Sequence, residues 1–482
     1  MNLSWKPDRM SSIPLYLQIK EFIKEKIENG EWTTGSKIPP QRVLADSLGV
    51  NRSTVVLAFD ELSAEGLIEG KSGSGTTVIN NTWGLLNSSP PPDWNSYVKA
   101  GVHQPNLTTI QQINREEFNP NIIRLGTGEL SPEFYPAGMM KEVLSVIPDQ
   151  IKSLGYEEPK GLLHLREQIS NYLNTIGIDS SPSAILVVSG ALQALQLISI
   201  GLLHRGSTVF LENPSYLYSL HVFQSAGMRL WGLPLDECGI QTAAITRLKH
   251  RLRGALLYTI PSFHNPTGIL MTEERRQELI RICEKEQLPV IEDDVYRELW
   301  LDSPVPSPLK ELDKNGLVLY LGSLSKALCP GLRIGWVVGP EPVINRLADI
   351  KMQTDYGSSS LSQWVAAKWL SSCLYHKHLE RVREQLKIRR EVALKAIENY
   401  LSDLATWRIP KGGFYIWVRI TPSLSMQKLF EKALQRGILL NPGYVYDRND
   451  NKHLRISYAY APLRHLEDGI HQLSDIIVSC CK

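Results

Sequence analysis

The sequence has little cysteine, and the cysteines it has are irregularly placed. Six occur among 482 residues, with no CxxC pair and no repeated interval between them. Structural zinc sites and the disulfide frameworks of small secreted domains both depend on characteristic cysteine spacing. The pattern therefore argues against both and is typical of a protein of the reducing cytoplasm.

Long apolar runs and an excess of charge are also missing. The first ten residues, MNLSWKPDRM, lack the apolar core of a signal peptide. The most apolar stretch, residues 184–203, is interrupted by Ser189, Gly190 and two glutamines, which favours a strand, a turn and a buried helix over a membrane span. The net charge of +2 neither indicates nor excludes a nucleic-acid partner. We therefore expect a cytoplasmic protein with no membrane segment.

The chain falls into three regions that differ in pattern. Residues 1–80 contain short helical patterns and a glycine-rich hairpin. Residues 81–120 contain a proline triplet, clusters of serine and asparagine and no sustained periodicity, which predicts a linker. From residue 121 to residue 482, short apolar runs alternate with longer helical patterns, as in βαβ units around a parallel sheet. Within that α/β domain, the part after about residue 366 predicts a smaller α+β subdomain that begins with a long charged helix.

Residues 1–80 predict a winged helix-turn-helix, which is a DNA-binding fold. The segment QRVLADSLGV predicts a short helix that ends at Gly49, and NRSTVVLAFDELSAEGLI predicts a second helix that opens with an asparagine cap. The segment GLIEGKSGSGTTVI predicts two short strands and a glycine-rich tip, a wing able to approach a phosphate backbone. The second helix of such a unit enters the major groove of double-stranded DNA. The predicted DNA-binding residues are Gln41, Arg42, Arg52, Ser53, Thr54, Lys71, Gly73 and Gly75.

A small helical packing module is the alternative for the same residues. They contain nine lysines and arginines against ten aspartates and glutamates, so no bulk basic charge supports DNA binding. The positions of the charges favour DNA binding nevertheless, because Arg42, Arg52 and Lys71 fall on the side expected to face the duplex.

Five apolar runs after residue 121 end in polar or glycine-rich residues. The runs and the residues that follow them are AILVV with Gly190, Ala191 and Leu192, STVFL with Tyr216, GALLYTIP with Asn265, LPVIE with Asp293 and Tyr296, and LVLYL with Ser323, Ser325 and Lys326. Arg333 follows the lysine by seven positions. In open parallel sheets ligands bind beyond the carboxyl ends of the strands, so we expect these residues to form one site.

Each of these residues alone also has an ordinary structural explanation. Asn265 suits a turn, Asp293 a helix cap and Lys326 a solvated surface amine. Together they supply what pyridoxal 5'-phosphate requires: a lysine that binds its aldehyde as a Schiff base, a carboxylate for the pyridinium nitrogen, donors for the ring hydroxyl, and serines, helix N–H groups and an arginine for the phosphate. We therefore assign Lys326 to the aldehyde, and the two serines beside it to the phosphate together with Arg333.

Residues 121–482 resemble the fold-type-I aminotransferases. The similarity lies in the strings GYEEPKGLLHLREQI, ENPSY, NPTG, EDDVY, SLSKALCPGLRIGW, GGFYIWV and LRISYA. It implies a pyridoxal phosphate-dependent transferase fold in which Tyr216 stacks on the pyridine ring and Asn265 and Tyr296 hydrogen-bond its oxygen. It also implies that Asp293, rather than Asp294, pairs with the ring nitrogen, because the family's spacing is Asp-x-x-Tyr.

The same resemblance assigns further residues. Arg455 would grip a substrate carboxylate, and Tyr156 would reach the phosphate of the neighbouring subunit in a homodimer. The stretch from Gly190 to Leu192 occupies positions at which the family uses backbone N–H groups, although Ala191 lacks the side-chain hydroxyl that some members have there.

The first 80 residues resemble the winged helix-turn-helix of GntR-type bacterial regulators over about 65 positions, including the Gly-x-Gly-Thr of the wing. One departure is IPPQR, where the family usually has a Leu-Pro-Ser start, so the cap of the helix at Gln41 is altered. Together the two halves resemble the MocR/GabR regulators. That resemblance implies a homodimeric, pyridoxal phosphate-dependent transcriptional regulator that binds a double-stranded DNA operator and senses pyridoxal phosphate, an amino-acid-like effector, or both.

Two other functions stay open. The first is an aminotransferase that carries a DNA-binding domain, and Val295, which creates the enzyme-like Asp-x-x-Tyr spacing, is compatible with real transamination. The second is a binding protein that has lost the cofactor, which the intact Lys326 argues against. The winged helix favours a regulator over an enzyme, since a metabolic aminotransferase needs no DNA-binding domain.

Overall fold

The chain folds into two compact units, residues 1–102 and residues 103–482. The computed structural model describes residues 5–71, 75–80, 93–103, 105–151, 153 and 155–481. Within those ranges, no helix combines the length and the apolar content that a membrane crossing needs.

The smaller unit is a winged helix-turn-helix, as predicted. Its elements are helices α1 (Leu15–Glu28), α2 (Gln41–Leu48), α3 (Arg52–Ala64) and α4 (Trp94–Ala100), and strands β1 (Lys37–Ile38), β2 (Ile68–Lys71) and β3 (Gly75–Val78). The strands form an antiparallel sheet in the order β1-β3-β2. Helix α1 forms because Ile19, Phe22, Ile23 and Ile27 share one face and are buried in the core of this unit.

The turn between α2 and α3 has the predicted glycine and the predicted N-cap residue, but not the hydrogen bond expected of that cap. Gly49 ends α2 in the left-handed region, with φ of 68°, where glycine is free of strain. Asn51 occupies the N-cap position of α3 as predicted, although its side chain makes no capping hydrogen bond. Pro40 before α2 likewise has no side chain able to cap. The start of α3 depends instead on buried residues such as Val55 and Phe59.

The larger unit contains a mixed sheet covered by helices. Its helices are α5 (Thr108–Glu116), α6 (Ala137–Gln150), α7 (Leu163–Thr175), α8 (Ala191–Gly201), α9 (Val222–Ser225), α10 (Ala243–Leu252), α11 (Glu273–Lys285), α12 (Leu309–Leu312), α13 (Glu341–Thr354), α14 (Ser360–Ser371), α15 (Cys373–Leu401), α16 (Met426–Gln435) and α17 (Leu463–Cys481). Its strands are β4 (Ile123–Arg124), β5 (Ile185–Val188), β6 (Thr208–Asn213), β7 (Arg229–Asp236), β8 (Gly239–Ile240), β9 (Gly254–Thr259), β10 (Val290–Asp293), β11 (Val318–Ser323), β12 (Gly335–Val338), β13 (Ala405–Trp407), β14 (Tyr415–Ile420), β15 (Ile438–Leu439), β16 (Asn441–Pro442) and β17 (His453–Ser457).

The main sheet has eight strands in the order β5-β12-β11-β10-β9-β6-β7-β8. Strands β11, β10, β9, β6 and β7 are parallel, whereas β12 runs antiparallel to both of its neighbours and β8 runs antiparallel to β7. The strands of this sheet are mostly apolar because helices cover both faces, and even the edge strand β5, Ile185–Val188, is entirely buried. The predicted parallel pairing is confirmed for β11, β10, β9, β6 and β7, and it does not extend to β12 and β8. The carboxyl edge of the sheet carries the predicted polar residues.

The predicted α+β subdomain is also present. The long charged helix is α15, with 29 residues, and a four-stranded antiparallel sheet in the order β13-β14-β17-β16 follows it. Strands β14 and β17 carry Tyr415 and Arg455, both buried. This subdomain therefore presents its own side chains to a site at the edge of the main sheet.

The interval predicted as a linker contains two helices, α4 and α5. Helix α5 belongs to the larger unit, because Ile113 is buried in the main core and Ile110 packs with Val445 and Tyr446. Two isoleucines three residues apart are too short a pattern to indicate a helix in the sequence. The division between the compact units thus falls inside 81–120, and the linker bounds stay a prediction; residues 81–92 lie outside the described residues.

Candidate functional site

A cavity of about 360 Å³ lies beyond the carboxyl ends of the parallel strands. All of the residues predicted to contact cofactor or substrate line it, except Tyr156. These residues are Gly190, Ala191, Leu192, Tyr216, Asn265, Asp293, Tyr296, Ser323, Ser325, Lys326, Arg333 and Arg455. The structure therefore brings together residues that are separated by up to 265 positions in the sequence.

Asp293 ends strand β10 and is buried, with 5% of its surface exposed. The hydroxyl of Tyr258 donates a hydrogen bond of 2.6 Å to Oδ2, whereas Oδ1 is buried without a partner. Burial raises the pKa of this carboxyl to about 6, against the opposing effects of the Tyr258 hydrogen bond and of the nearby backbone N–H of Val295, which lies outside hydrogen-bonding geometry with Oδ1. A buried acceptor of this kind fits a ligand that brings its own N–H group.

The neighbouring Asp294 is already paired. It accepts hydrogen bonds from the hydroxyl of Ser262 and from Arg297, whose Nη1 lies 3.2 Å from Oδ2. It does not line the cavity, which supports the choice of Asp293 for the ring nitrogen.

Lys326 follows strand β11 and extends into the cavity. Its Nζ donates a hydrogen bond of 2.8 Å to the carbonyl of Gly128 and lies 5.9 Å from the centre of the Tyr296 ring. The two serines beside it differ. Ser323 donates its hydroxyl to the carbonyl of Ile334 at 3.1 Å, whereas the hydroxyl of Ser325 is buried without a partner. Ser325 is thus the serine with an open hydrogen-bonding group.

The loop from Ser189 to Gly190 forms a cradle at the start of helix α8. Gly190 has φ of 92°, a backbone conformation that strains residues with a Cβ, and an added Cβ would also displace Nη2 of Arg333, from which it would lie 2.5 Å. Arg333 donates a hydrogen bond of 2.8 Å to the carbonyl of Ser189, which places a guanidinium beside the free N–H groups at the start of this 11-residue helix. Two positive features, the helix N-terminus and the guanidinium, thus meet where a phosphate is expected.

Arg455 is held rigidly in the cavity wall. Its Nη1 donates a hydrogen bond of 2.8 Å to Oδ1 of Asn265, its Nη2 bonds the carbonyl of Gly126, and its guanidinium lies 4.3 Å and 4.9 Å from the ring centres of Tyr415 and Tyr446. Its Nε is buried without a partner. A cation that has open hydrogen-bonding capacity and faces a cavity suits an anionic group such as a carboxylate.

Phenols missed by the sequence analysis complete the site. The Tyr415 hydroxyl lies 3.1 Å from that of Tyr296, Tyr446 packs on Arg455, and Tyr258 holds Asp293. Tyr258 lies within an apolar strand and Tyr415 within GGFYIWV. The sequence therefore predicted a strand at both positions but gave no sign that either phenol belongs to the site. Tyr446 follows a short turn that has no periodic pattern.

Tyr156 lies apart from this cavity. Its side chain is 83% exposed, and its ring meets that of Tyr356 edge to face, with centres 4.8 Å apart. An exposed position is compatible with a contact across a subunit interface, and that role stays a prediction.

In the smaller unit, the predicted DNA-binding residues lie at the surface to different extents. Arg42, Arg52, Ser53 and Lys71 are exposed, and Gln41 and Thr54 are partly buried. Gly75 opens strand β3 with φ of 88° opposite Lys71, and Gly73 lies outside the described residues.

Lys71, the predicted phosphate contact on the wing, lies beside an acidic residue. Lys71 Nζ lies 3.3 Å from Oε2 of Glu69 on the same strand. A surface ion pair of this kind contributes about 0–1 kcal/mol, so it restrains the lysine only weakly.

Comparison with other proteins agrees with this architecture. Residues 15–78 match the family model of the bacterial regulatory proteins of the gntR family, and residues 120–473 match that of the aminotransferases of class I and II. The HTH-type transcriptional regulator YdfD of Bacillus subtilis is 58% identical over 469 residues, which covers 97% of each chain. NorG of Staphylococcus aureus, also an HTH-type transcriptional regulator, is 34% identical over 441 residues, covering 91% of this chain and 98% of its own.

Among solved structures, the larger unit is similar to aminotransferases. The kynurenine aminotransferase of Pyrococcus horikoshii, solved in complex with PMP, superposes with a TM-score of 0.74 at 30% identity and covers 79% of this chain and 96% of its own. LysN, the α-aminoadipate aminotransferase of Thermus thermophilus, gives a TM-score of 0.73 at 29% identity, covering 81% and 99%. The chain therefore belongs to the HTH-type transcriptional regulators in which a GntR-type DNA-binding domain is joined to an aminotransferase class I and II domain.

Proposed function

We propose that this regulator binds pyridoxal 5'-phosphate in the cavity and through it senses a compound that carries an amine and a carboxylate. The observation that supports this most strongly is the meeting of Lys326, the unpartnered Oδ1 of Asp293, the unpartnered hydroxyl of Ser325 and the guanidinium of Arg455 in one cavity. Similar aminotransferases solved with PMP or with a phosphopyridoxyl amino acid add further support.

When bound, pyridoxal phosphate supplies an aldehyde that exchanges one amine for another. Asp293 Oδ1 would accept a hydrogen bond from the protonated ring nitrogen, and the Tyr258 hydroxyl on Oδ2 favours the ionised carboxylate that this requires. Arg333, the Ser325 hydroxyl and the N–H groups after Gly190 would hold its phosphate. In the absence of another ligand, the Gly128 carbonyl orients the amine of Lys326.

Arg455 selects the second group of the effector. Its planar guanidinium is fixed by Asn265 and two phenol rings, so it is already oriented to bind a carboxylate through two hydrogen bonds. A molecule with an amine and a carboxylate then reaches from Lys326 to Arg455.

On the DNA side, we propose that a cytoplasmic homodimer presents two copies of α3 to paired half-sites of an operator. Arg52, Ser53 and Thr54 would contact the major groove, with Gln41 and Arg42 beside them, and Lys71, Gly73 and Gly75 would approach the backbone. The effector alters operator affinity only by binding the two arrangements of the protein unequally, typically by about 5- to 150-fold.

The purified protein tests the cofactor directly. We expect it to be yellow or to become yellow with pyridoxal phosphate, and borohydride should then attach the cofactor permanently to Lys326, as mass spectrometry of peptides would detect. Lys326→Ala should lose this attachment while basal operator binding persists. A protein that stays colourless after incubation with pyridoxal phosphate would contradict the proposal.

A catalytically active aminotransferase that carries a DNA-binding domain is the second candidate. The observation that favours it is the completeness of the cavity, in which Asp293 and Tyr296 keep the Asp-x-x-Tyr spacing and both line the wall. Turnover of amino donors with keto acids, measured alongside operator binding, separates the two. We expect slow or partial transamination; fast multiple turnover with no response of operator affinity to any tested amine or to pyridoxal phosphate would favour the enzyme.

A further inference from the structure

Two acidic residues in the cavity wall have no part in the proposed function. Glu117 follows helix α5 and Glu129 follows Gly128, and both line the cavity. Glu117 accepts a hydrogen bond of 3.1 Å from the hydroxyl of Thr127. Among the described residues, neither carboxylate has a lysine, arginine or histidine within ion-pairing distance. Two negative groups therefore face the cavity without a partner of opposite charge.

The segment that carries Glu129 runs between the two groups that would hold the effector. The carbonyl of Gly126 accepts a hydrogen bond from Arg455, and the carbonyl of Gly128 accepts one of 2.8 Å from Lys326 Nζ. A Cβ at Gly128 would collide with the Tyr415 hydroxyl and lie 3.9 Å from Arg455 Nη2. A molecule that reaches from Lys326 to Arg455 thus passes alongside residues 126–128. Glu129 directly follows them in the chain.

Glu117 and Glu129 are also the charged residues of the cavity wall to which the proposed function gives no group of opposite charge. In the proposed function, Asp293 is matched by the ring nitrogen, Arg333 by the phosphate and Arg455 by the effector carboxylate. Glu117 and Glu129 have no such counterpart. Two cations, Arg124 and Arg455, lie close enough to influence Glu117. Arg455 is already matched by the effector carboxylate, and the guanidinium of Arg124 lies 4.5 Å from the centre of the Tyr460 ring and does not line the cavity.

The surroundings of Glu117 favour the addition of a positive charge. Burial raises the pKa of this carboxyl above its ordinary value, and the adjacent charge of Glu129 adds to that effect, against the Thr127 hydrogen bond and the charges of Arg124 and Arg455. A cation placed beside it offsets the cost of burying a carboxylate.

We propose that the effector is an amino acid whose side chain carries a cation, and that Glu117 and Glu129 bind that cation. This inference rests on the proposed function, because it requires Lys326 and Arg455 to hold the amine and the carboxylate of the same molecule. An effector with a neutral side chain would leave both carboxylates unpaired, and one with an acidic side chain would be repelled. The two carboxylates therefore favour a cationic effector and disfavour the other two classes.

Calorimetric titration of the pyridoxal phosphate-loaded, full-length protein tests this, with the absorption spectrum as a second readout. The probes are L-lysine, L-norleucine, which has the same carbon chain without the terminal amine, and L-2-aminoadipate, which ends in a carboxylate. We expect L-lysine to bind at least about tenfold more tightly than L-norleucine, as one charge-assisted hydrogen bond allows. L-2-aminoadipate should bind most weakly.

The variants are Glu117→Gln, Glu129→Gln and the two combined, which remove charge and keep shape. Each single variant should reduce the preference for L-lysine, and the double variant should abolish it. Glu116→Gln is the matched control, because Glu116 ends the same helix but pairs with Arg115 and does not line the cavity. Glu129 is exposed, so its variant should melt at the wild-type temperature even if the replacement of Glu117 disturbs folding.

The outcomes are distinct. If L-norleucine or L-2-aminoadipate binds as tightly as L-lysine, or if a folded double variant keeps the preference, the inference is overturned while the proposed function stands. If none of the three compounds produces heat or a spectral change, the proposed function fails together with it.

Discussion

Asp293 is a carboxylate buried without enough partners in its own chain. One oxygen is bonded to Tyr258 and the other has no donor, and burial has raised the pKa to about 6. A residue selected only for stability would be replaced at such a position, because a buried unpartnered charge costs free energy. A ligand that supplies the missing N–H group would offset this free-energy cost.

This predicts a pH dependence in the cofactor-free protein. The folded pKa is raised from 3.8 to about 6, so the stabilisation that this group contributes is complete below about pH 3.8 and is lost as the pH rises through about 6. Relative to Asp293→Asn, the free energy of unfolding of the wild type should fall by about 2–3 kcal/mol across this range. Denaturant unfolding of both proteins at several pH values measures the difference.

Adding pyridoxal phosphate is the control for that prediction. Above pH 6, bound cofactor should stabilise the wild type more than it stabilises Asp293→Asn, since the asparagine cannot offer a negative charge to the ring nitrogen. Parallel pH profiles for the two cofactor-free proteins would show that Asp293 is not the titrating group.

Helix α3 and the wing formed by β2 and β3 are expected to read DNA in different ways. If Arg52 reaches a guanine edge, Arg52→Ala should cost roughly 1–3 kcal/mol of operator affinity and relax sequence specificity. Lys71→Ala should weaken all sequences similarly and reduce the salt dependence of binding, because it removes a phosphate contact. Binding titrations at several salt concentrations, on operator and on unrelated DNA, distinguish these effects.

Lys24→Ala serves as the control for those variants. Lys24 lies on α1 and pairs with Glu65 at 3.4 Å, away from the predicted DNA-binding residues. Operator affinity that is unchanged by both the Arg52 and the Lys71 variants would refute the assignment of helix and wing.

The elements that the sequence predicted well are those with a local signal. Strands β5, β10 and β11 are apolar runs that end abruptly in polar residues, and this pattern located the carboxyl edge of the sheet and hence Asp293 and Lys326. Helix α5 was missed because its burial depends on Val445 and Tyr446, which are distant in sequence. The environment of Arg455 was missed for the same reason: its rings and carbonyls come from separate elements that only the tertiary fold brings together.

For the molecule as a whole, we predict a homodimer with sites shared between subunits. Tyr156 is 83% exposed and lies outside its own cavity, as expected if it contacts the phosphate in the partner subunit. Sedimentation at micromolar concentration should show a dimer, and Tyr156→Phe should lower pyridoxal phosphate affinity by roughly tenfold, the loss of one hydrogen bond to a charged group. Tyr97→Phe, at an exposed tyrosine of the smaller unit, should have no effect. A monomer that binds the cofactor fully would contradict this.

The end of the smaller unit lies close in sequence to the cavity wall. Asn106 lines the cavity, and it is the fourth residue after Val102, the last residue of the smaller unit. If a bound effector shifts Asn106, it also shifts the point from which the chain leads back towards the winged helix. We then expect operators with altered half-site spacing to respond differently to the effector, which binding titrations on a series of spacings would measure.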